Sequence, residues 1–154
     1  MKLVEIPRNH STSKLSIGIV VSEFNKTISD GLLKGAMRFL ESNDSGSLKV
    51  TVLRVDGALE IPIALRRMAQ SDHFDVLVAL GAVIRGETYH FEIVSNESAA
   101  GLARVTHDFD IVIGNGILTC ENDEQAIARM DQKGFEAVAA AVAAHNATVQ
   151  LDKQ

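Results

Sequence analysis

Cysteine, proline and tryptophan are nearly missing from this sequence of 154 residues, which contains one cysteine, two prolines and no tryptophan. The lone Cys120 has no partner for an internal disulfide, and it leaves no cysteine-rich metal framework. The five histidines are not spaced as a ligand set either. The sequence therefore predicts neither a disulfide scaffold nor a metal site, and it is compatible with a reducing cytoplasm.

The chain also lacks a surplus of positive charge and any long apolar run. Its formal net charge is −5, whereas nucleic acids and anionic membranes are bound by a broad basic surface. No apolar run approaches the ~20 residues of a membrane span, and the polar N-terminus lacks the apolar stretch of a secretory signal. We therefore expect a cytoplasmic protein without nucleic-acid or membrane partners. A few local donors would still suffice to bind a small anion.

The residues that are present suit one packed core. Hydrophobic residues make up 46% of the chain and charged residues 23%, which is the balance of a globular domain. Two cores would leave each half near the lower size limit for independent folding. Residues 1–14, with Pro7 and a polar cluster, resemble an arm. We predict an N-terminal arm over 1–14 and a single domain over 15–154.

Strand and helix patterns alternate four times along that domain. Short apolar runs predict strands at 17–21, 50–55, 76–84 and 111–113. Helical spacing of apolar residues follows each of them, and the four expected helix starts are a capping pattern over Thr27–Asp30, Pro62, Thr88 and Asn122. The last helix is expected to run to about Ala144, with Gly134 as a candidate kink.

This alternation predicts a three-layer, flavodoxin-like α/β domain. Right-handed crossovers between successive strands give a four-stranded parallel sheet with helices on both faces. Ligands of such sheets bind beyond the carboxyl ends of the strands. The segments to search are therefore the four that follow the predicted strands, namely 22–25, 56–60, 85–90 and 114–119.

Two side chains in these segments have both a functional and a structural interpretation. Phe24 can stack on a planar heterocycle, or it can be a hydrophobic staple on the next helix. Glu60 can accept hydrogen bonds from ligand hydroxyls, or it can complement the dipole of the helix that Pro62 begins. The residues alone leave both alternatives open.

The segment Arg85–Thr88 joins the most apolar strand to a helix, so its free N–H groups can form a phosphate cradle. His90 lies in the first turn of that helix, whose positive end disfavours imidazolium, and a neutral ring can act as a base. A histidine hydrogen-bonded for structure is the alternative. Gly114–Gly116 falls short of a dinucleotide fingerprint and is more typical of a turn at a strand end.

Arg129 lies two turns inside the last helix, about 12 Å along the axis from its own strand end. It is either a solvated surface residue or a ligand-binding residue for a neighbouring subunit.

Taken together, these motifs closely resemble the 6,7-dimethyl-8-ribityllumazine synthase family over about residues 17–142. The resemblance is carried by four ordered motifs, which are Phe24-Asn25, Gly57–Pro62, Leu80–Phe91, and Asn115–Thr119 leading to Glu124–Ala126 and Arg129. It implies an enzyme of riboflavin biosynthesis that condenses 5-amino-6-ribitylaminouracil with 3,4-dihydroxy-2-butanone 4-phosphate. The products are the lumazine, phosphate and water, and the family uses no metal or organic cofactor.

The resemblance also implies roles for individual residues. Phe24 would stack on the pyrimidine, and the backbone of Val83 and Ile84 would bind its edge. Ala58 and Glu60 would hold the ribityl chain. The phosphate loop would be formed by Gly86, Glu87 and Thr88, and His90 would move protons. Arg129 and Lys133 of an adjacent subunit would clamp the phosphate. Two positions depart from the family pattern, since Leu59 replaces a common phenylalanine and Asn115 a common aromatic residue beside the pyrimidine.

The resemblance further implies a homopentamer in which the N-terminal arm adds a strand to a neighbour's sheet. The segment Met130–Lys133 is too short for the loop that joins pentamers in shell-forming members, and we expect it to continue the helix.

A catalytically weak paralogue that binds flavin or lumazine is the alternative function, because Leu59 and Asn115 could trade turnover for product binding. A receiver-type regulator would need an acidic cluster that Asp56 alone does not provide.

Overall fold

A computed structural model describes all residues, 1–154, and contains four strands and four α-helices. The strands are β1 (Ser16–Ser22), β2 (Lys49–Val55), β3 (Val76–Ile84) and β4 (Val112–Cys120). The helices are α1 (Lys26–Asn43), α2 (Ile61–Gln70), α3 (His90–Phe109) and α4 (Asp123–Leu151), and a 3₁₀ turn at Ala58–Glu60 precedes α2. No helix combines the length and the apolar character that crossing a bilayer requires.

The sheet confirms the predicted three-layer architecture. All strand pairs are parallel, and the order is β2-β1-β3-β4. Helices α1 and α4 cover one face and enclose the larger core cluster, while α2 and α3 cover the other. The flavodoxin-like fold follows from four strand–helix units with a helix after every strand.

Strand β3 is apolar throughout because it is buried on both faces. Val76, Val78 and Leu80 point into the core beneath α1 and α4, whereas Leu77 and Ala79 point into the core beneath α2 and α3. A strand covered by helices on both sides cannot alternate apolar and polar residues. The predicted central strand is confirmed.

Strand β3 also extends further than its neighbour β1, and this difference opens the edge at which the site forms. Pairing with β1 ends at Val21 opposite Leu80, whereas pairing with β4 continues to Ile84 opposite Cys120. The last four residues of β3 therefore have one edge that no strand occupies. Their backbone groups on that side are available to a loop or a ligand.

Helices α1 and α4 approach each other so closely that glycine is required at the contact. A Cβ atom on Gly134 of α4 would lie 1.9 Å from the Leu32 carbonyl oxygen, and one on Gly35 of α1 would lie 1.9 Å from the Asp131 carbonyl oxygen. Next to this contact the rings of Phe39 and Phe135 meet edge to face with centroids 5.2 Å apart. This packing fixes the position of α4 on the sheet.

Two predicted helix starts are wrong and two are confirmed, one of which is Pro62 in the first turn of α2. Helix α1 begins at Lys26 after Asn25, which has φ 58° and makes no side-chain cap, so Thr27 lies inside the helix. Helix α3 begins at His90 with Tyr89 at the N-cap, so Thr88 precedes the cap. The Asn122 side chain caps α4 by accepting a hydrogen bond from the Gln125 N–H at 2.9 Å.

Strand β4 is much longer than the predicted 111–113, and the Gly114–Gly116 segment is inside it instead of forming a turn. The reason is tertiary packing. A Cβ on Gly114 would lie 2.4 Å from the Ala137 carbonyl oxygen of α4, and one on Gly116 would lie 2.5 Å from the Leu80 side chain. The glycines therefore allow α4 to lie against β4. Helix α4 itself continues unbroken through Met130–Lys133 and Gly134 to Leu151.

Residues 1–15 form no helix or strand. The second half of this segment is bound to the domain, since Thr12 is fully buried with its hydroxyl donating to the Asn43 carbonyl at 2.6 Å. The Asn146 amide donates to the carbonyls of Asn9 and Ser11. Residues 1–8 take part in no hydrogen bond, and Leu3 is 80% exposed. Strand addition by this segment to a neighbour stays a prediction.

Candidate active site

A cleft of about 500 Å³ opens at the carboxyl ends of β1 and β3. We call it the first cleft. The predicted catalytic residue His90 lines it. So do eight of the twelve predicted substrate-binding residues, namely Phe24, Ala58, Leu59, Glu60, Val83, Ile84, Gly86 and Thr88. Residues from three separate connections are thus brought together, as expected where parallel strands end at one edge.

Phe24 presents its ring to this cleft without packing into the core. The residue is 71% exposed. Its backbone is fixed, since the N–H donates to the Asp56 carbonyl at 2.8 Å and the carbonyl accepts from the Ser29 hydroxyl. The residue at which a staple would pack is Ser29, four positions after the N-cap Asn25, and serine offers no apolar surface. The staple interpretation of Phe24 is therefore wrong.

An ion network stabilises the turn that carries Phe24. Arg54 of β2 donates to Glu23 at 3.1 Å and lies 3.0 Å from an oxygen of Asp30, and Lys26 bridges the same two carboxylates. The hydrogen bond from Lys26, followed by that from Arg54, holds the pKa of Asp30 below its usual range. The network connects the end of β2 to the start of α1 on either side of the aromatic residue.

Glu60 offers an unpaired carboxylate to the cleft. It occupies the N-cap position of α2, but its side chain makes no capping hydrogen bond and no ion pair. One carboxylate oxygen lies over Gly57, where a Cβ atom would come within 2.9 Å of it. The carboxylate is therefore free to accept hydrogen bonds from a polyhydroxylated ligand. Ala58 is buried beside it, and Leu59 is exposed.

The free edge of β3 supplies backbone groups beside Phe24. The Asn25 side-chain amide donates to the Ala82 carbonyl at 3.2 Å, which connects the Phe24 turn to this edge. Beyond that bond, Val83 and Ile84 have no strand partner on the side of β1. An amide-like edge of a heterocycle stacked near Phe24 would find hydrogen-bond partners here.

The connection from β3 to α3 has the properties expected of an anion-binding loop. The N–H groups of Gly86, Glu87, Thr88 and Tyr89 donate no hydrogen bond within the chain. A Cβ atom on Gly86 would meet nothing within 4 Å, so space is left at this residue. Glu87 does not line the cleft, and its charge is thereby kept out of it. Free amides ahead of a 20-residue helix favour an anion such as phosphate.

His90 is the first residue of α3 and lines the cleft beside this loop. Its backbone N–H faces the Thr88 hydroxyl oxygen at 3.4 Å. Its ring makes no hydrogen bond and no ion pair with the rest of the chain. A purely structural histidine would have such a partner, so the free ring favours the functional interpretation.

The remaining predicted residues lie elsewhere. Arg129 and Lys133 line a second cleft of about 650 Å³, formed by the end of β4 and one side of α4, and no residue lines both clefts. The Arg129 guanidinium donates to the Gln125 carbonyl at 2.8 Å. Asn115 is exposed on β4, two residues before the stretch that lines the second cleft, and its side-chain oxygen accepts from the Ile117 N–H.

The prediction missed several residues of the first cleft. Asn25, Phe91, Val94 and Asp123 also line it. Asn25 could have been found, because asparagine tolerates the left-handed backbone and follows a strand end. Asp123 could have been found as the residue after the Asn122 cap. Phe91 and Val94 share the buried side of α3, and only the packed structure shows that they reach the cleft.

The fold and the first cleft define an α/β protein with a candidate ligand site beyond the carboxyl ends of a parallel sheet. The family model described as 6,7-dimethyl-8-ribityllumazine synthase matches residues 14–148. Three proteins of that name, from Burkholderia multivorans, Burkholderia vietnamiensis and Burkholderia ambifaria, are each 49% identical to this chain over 153 residues. The aligned region covers 99% of this chain and 89% to 90% of the three relatives. The chain therefore belongs to the 6,7-dimethyl-8-ribityllumazine synthase family, whose members are transferases of riboflavin biosynthesis.

Proposed function

We propose that this chain condenses 5-amino-6-ribitylaminouracil with 3,4-dihydroxy-2-butanone 4-phosphate. The observation that carries the proposal is the composition of the first cleft. An exposed aromatic ring, an unpaired carboxylate, a free strand edge, a loop of free amides and an unpaired imidazole meet there. The two substrates together present a planar ring, a polyol, amide-like edges and a phosphate, which these groups complement.

Each part of the pyrimidine substrate has a counterpart in the cleft. Phe24 stacks on the ring, and the backbone of Val83 and Ile84 binds its polar edge. Glu60 accepts hydrogen bonds from the ribityl hydroxyls, with Ala58 and Leu59 beside them. A hydrogen bond to a charged group contributes about 1.5–3 kcal/mol, so Glu60 is the main source of selectivity for the ribityl chain.

The phosphate of the second substrate binds to the backbone of Gly86 and Glu87 and to the backbone and hydroxyl of Thr88. Arg129 and Lys133 complete this site from a neighbouring subunit, and Asn115 of the same neighbour lies beside the pyrimidine. The first cleft contains neither lysine nor arginine. A phosphate dianion held by amides alone would lack a paired charge, which the second cleft of a neighbour supplies.

The reaction follows from the positions of the reacting groups. The 5-amino nitrogen attacks the C2 ketone of the butanone, and loss of water gives an imine. Removal of the C3 proton expels phosphate from C4, and the resulting enol becomes a C3 ketone with a new methyl group at C4. The ribityl-bearing nitrogen attacks C3, and loss of a second water closes the ring.

We assign to His90 the removal of the C3 proton and the return of a proton to C4. No covalent intermediate with the protein is needed, so most of the acceleration comes from holding the two reactants together, which can be worth about 7–11 kcal/mol. Acid–base catalysis by His90 adds about 10²-fold.

We further infer that the protein acts as a cytoplasmic homopentamer. A head-to-tail ring brings the second cleft of each subunit to the first cleft of the next, and five sites result. The unbroken helix α4 supports a closed ring instead of a sixty-subunit shell, because no loop interrupts it at Met130–Lys133. Native mass spectrometry should give five subunits, and a shell-sized particle in light scattering would contradict this assembly.

One experiment separates the enzyme from a weak flavin- or lumazine-binding paralogue. The purified protein is mixed with both substrates, and the lumazine chromophore is followed against the uncatalysed background. The enzyme should raise the rate at least about 10³-fold, given the contribution of proximity. Tight lumazine binding without an increased rate would favour the paralogue. A protein that neither raised the rate nor bound lumazine would contradict the proposed function as well.

A further inference from the structure

Arg85 is the one charged residue of the β3–α3 connection that the proposed function does not use. Its Nε donates to Glu121 at 2.7 Å, and its Nη1 donates to Glu92. The guanidinium lies over the Phe91 ring with the carbon 4.3 Å from the centroid, and the backbone N–H donates to the Cys120 carbonyl. One side chain thus connects the end of β3, the first turn of α3 and the β4–α4 connection.

The loop next to Arg85 cannot hold itself in place. The N–H groups from Gly86 to Tyr89 donate to nothing within the chain, since they must stay free if they are to bind phosphate. The Thr88 hydroxyl accepts from the His90 N–H at 3.4 Å, and the Tyr89 carbonyl accepts from the Glu92 and Ile93 N–H groups of α3, so these bonds hold only the end of the loop next to α3. A loop whose own N–H groups are unbonded depends on what fixes its two ends, and Arg85 contacts both of them.

The charge of Arg85 is already neutralised by these contacts. Glu92 and Glu121 both accept hydrogen bonds from it, and the Arg85 side chain does not line the first cleft. The hydrogen bond from Arg85 holds the pKa of Glu92 below its usual range, so this carboxylate remains ionised near neutral pH. Arg85 is therefore unsuited to act as the positive charge that binds phosphate.

We propose that Arg85 is a positioning residue that holds the phosphate loop and His90 in the geometry that catalysis needs. It does so through the hydrogen bonds of its planar guanidinium group and its stacking on Phe91. The proposal rests on the proposed function of the loop as a phosphate site. Two hydrogen bonds in fixed directions and a flat face over an aromatic ring are properties of arginine that lysine does not share. The shape of the side chain, and not its charge, is thus what the loop requires.

Arg85→Lys separates a requirement for the shape of the side chain from a requirement for its charge, because lysine keeps the positive charge and lacks the planar guanidinium group. Arg66→Lys is the matched control, since Arg66 also pairs with a carboxylate, Asp108, and lies 5.0 Å from the centroid of Phe109. That cluster joins α2 to the end of α3, away from both clefts. Both variants therefore replace a guanidinium group that pairs with a carboxylate and lies over a phenylalanine ring. Any general effect of that replacement appears in the control as well.

Steady-state kinetics with the butanone phosphate varied is the first measurement. A displaced loop should lower kcat/KM of Arg85→Lys by about 10²-fold, with kcat reduced as well, because a shift of about 1 Å can cost that much. Arg66→Lys should stay within about twofold of the unmodified protein. Activity of Arg85→Lys equal to that of the Arg66→Lys control would overturn the proposal, and so would a loss confined to KM.

Hydrogen exchange with inorganic phosphate as the probe gives a second measurement that needs no turnover. Phosphate should slow exchange of the amides of Gly86–Thr88 in the unmodified protein and in Arg66→Lys, and protect them much less in Arg85→Lys. Equal protection in all three proteins would overturn the proposal. A protein that shows this protection but forms no lumazine would contradict the proposed function while leaving the role of Arg85 in the loop intact.

Discussion

The two clefts of this chain differ in the chemistry that each one lacks. The first contains the aromatic ring of Phe24 and several unpaired acceptors, but no lysine or arginine. The second contains Arg129 and Lys133, but no aromatic residue. In the proposed function the heterocycle binds mainly in the first cleft, whereas the phosphate needs both the loop amides of the first cleft and the cations of the second. This difference is what the proposed site shared between neighbouring subunits would require.

The packing of α4 on α1 fixes the second cleft relative to the first within one chain, and its disruption gives the largest expected effect. Gly134→Ala places a methyl group 1.9 Å from the Leu32 carbonyl oxygen, where neither backbone can yield. We expect the free energy of unfolding to fall by about 3 kcal/mol in urea denaturation. Helix propensity alone predicts the opposite, a gain of about 1 kcal/mol.

Gly86→Ala is the matched control, because a Cβ atom there meets nothing within 4 Å. Its stability should change by less than about 0.5 kcal/mol, while its affinity for the phosphate substrate falls if the ligand approaches the loop closely. Unchanged stability of Gly134→Ala would show that the close approach of α1 and α4 does not fix the second cleft.

Removal of the imidazole tests whether proton transfer belongs to the first cleft. His90→Ala should lower kcat about 10²-fold and leave the protein active, because positioning of the two substrates survives. Stopped-flow measurement of lumazine formation checks this. A loss beyond about 10⁴-fold would exceed general acid–base catalysis, and it would require a further role for His90.

Removal of the aromatic ring should have the smallest effect and should be confined to one substrate. Phe24→Ala should weaken binding of a pyrimidine analogue by about 1 kcal/mol, or roughly fivefold, through lost stacking. Binding of inorganic phosphate should not change. Calorimetric titration measures both, and an unchanged affinity for the pyrimidine analogue would show that the exposed ring is not part of its site.

The fold could be predicted from the sequence where one local pattern decides the structure. The unbroken apolar run of β3, Pro62 in the first turn of α2 and the Asn122 cap of α4 each have a single physical explanation. The prediction failed at Gly114–Gly116 because those glycines are there to admit α4, and contacts between distant segments leave no local pattern. It also failed at Thr27, since the left-handed Asn25 begins α1 without a capping side chain.

The site was predictable to the same extent. Residues that follow strand ends were found because parallel strands end at one edge. The helix length already separated Arg129 from its own strand end by about 12 Å, and the structure places it in the second cleft. The contacts of Arg85 with Glu92 and Glu121 could not be predicted, because Glu121 is 36 residues away in the chain and the approach of Glu92 depends on how the intervening loop folds.

Mixing two impaired subunits tests the shared site most directly. His90→Ala and Arg129→Ala chains are unfolded, combined in equal amounts and refolded, and native mass spectrometry verifies mixed rings. In a head-to-tail ring with random mixing, about a quarter of the sites regain both residues, so activity should rise to about a quarter of that of the unmodified protein. Mixed rings whose activity equals only the mean of the two parent variants would show that each site is built from one chain.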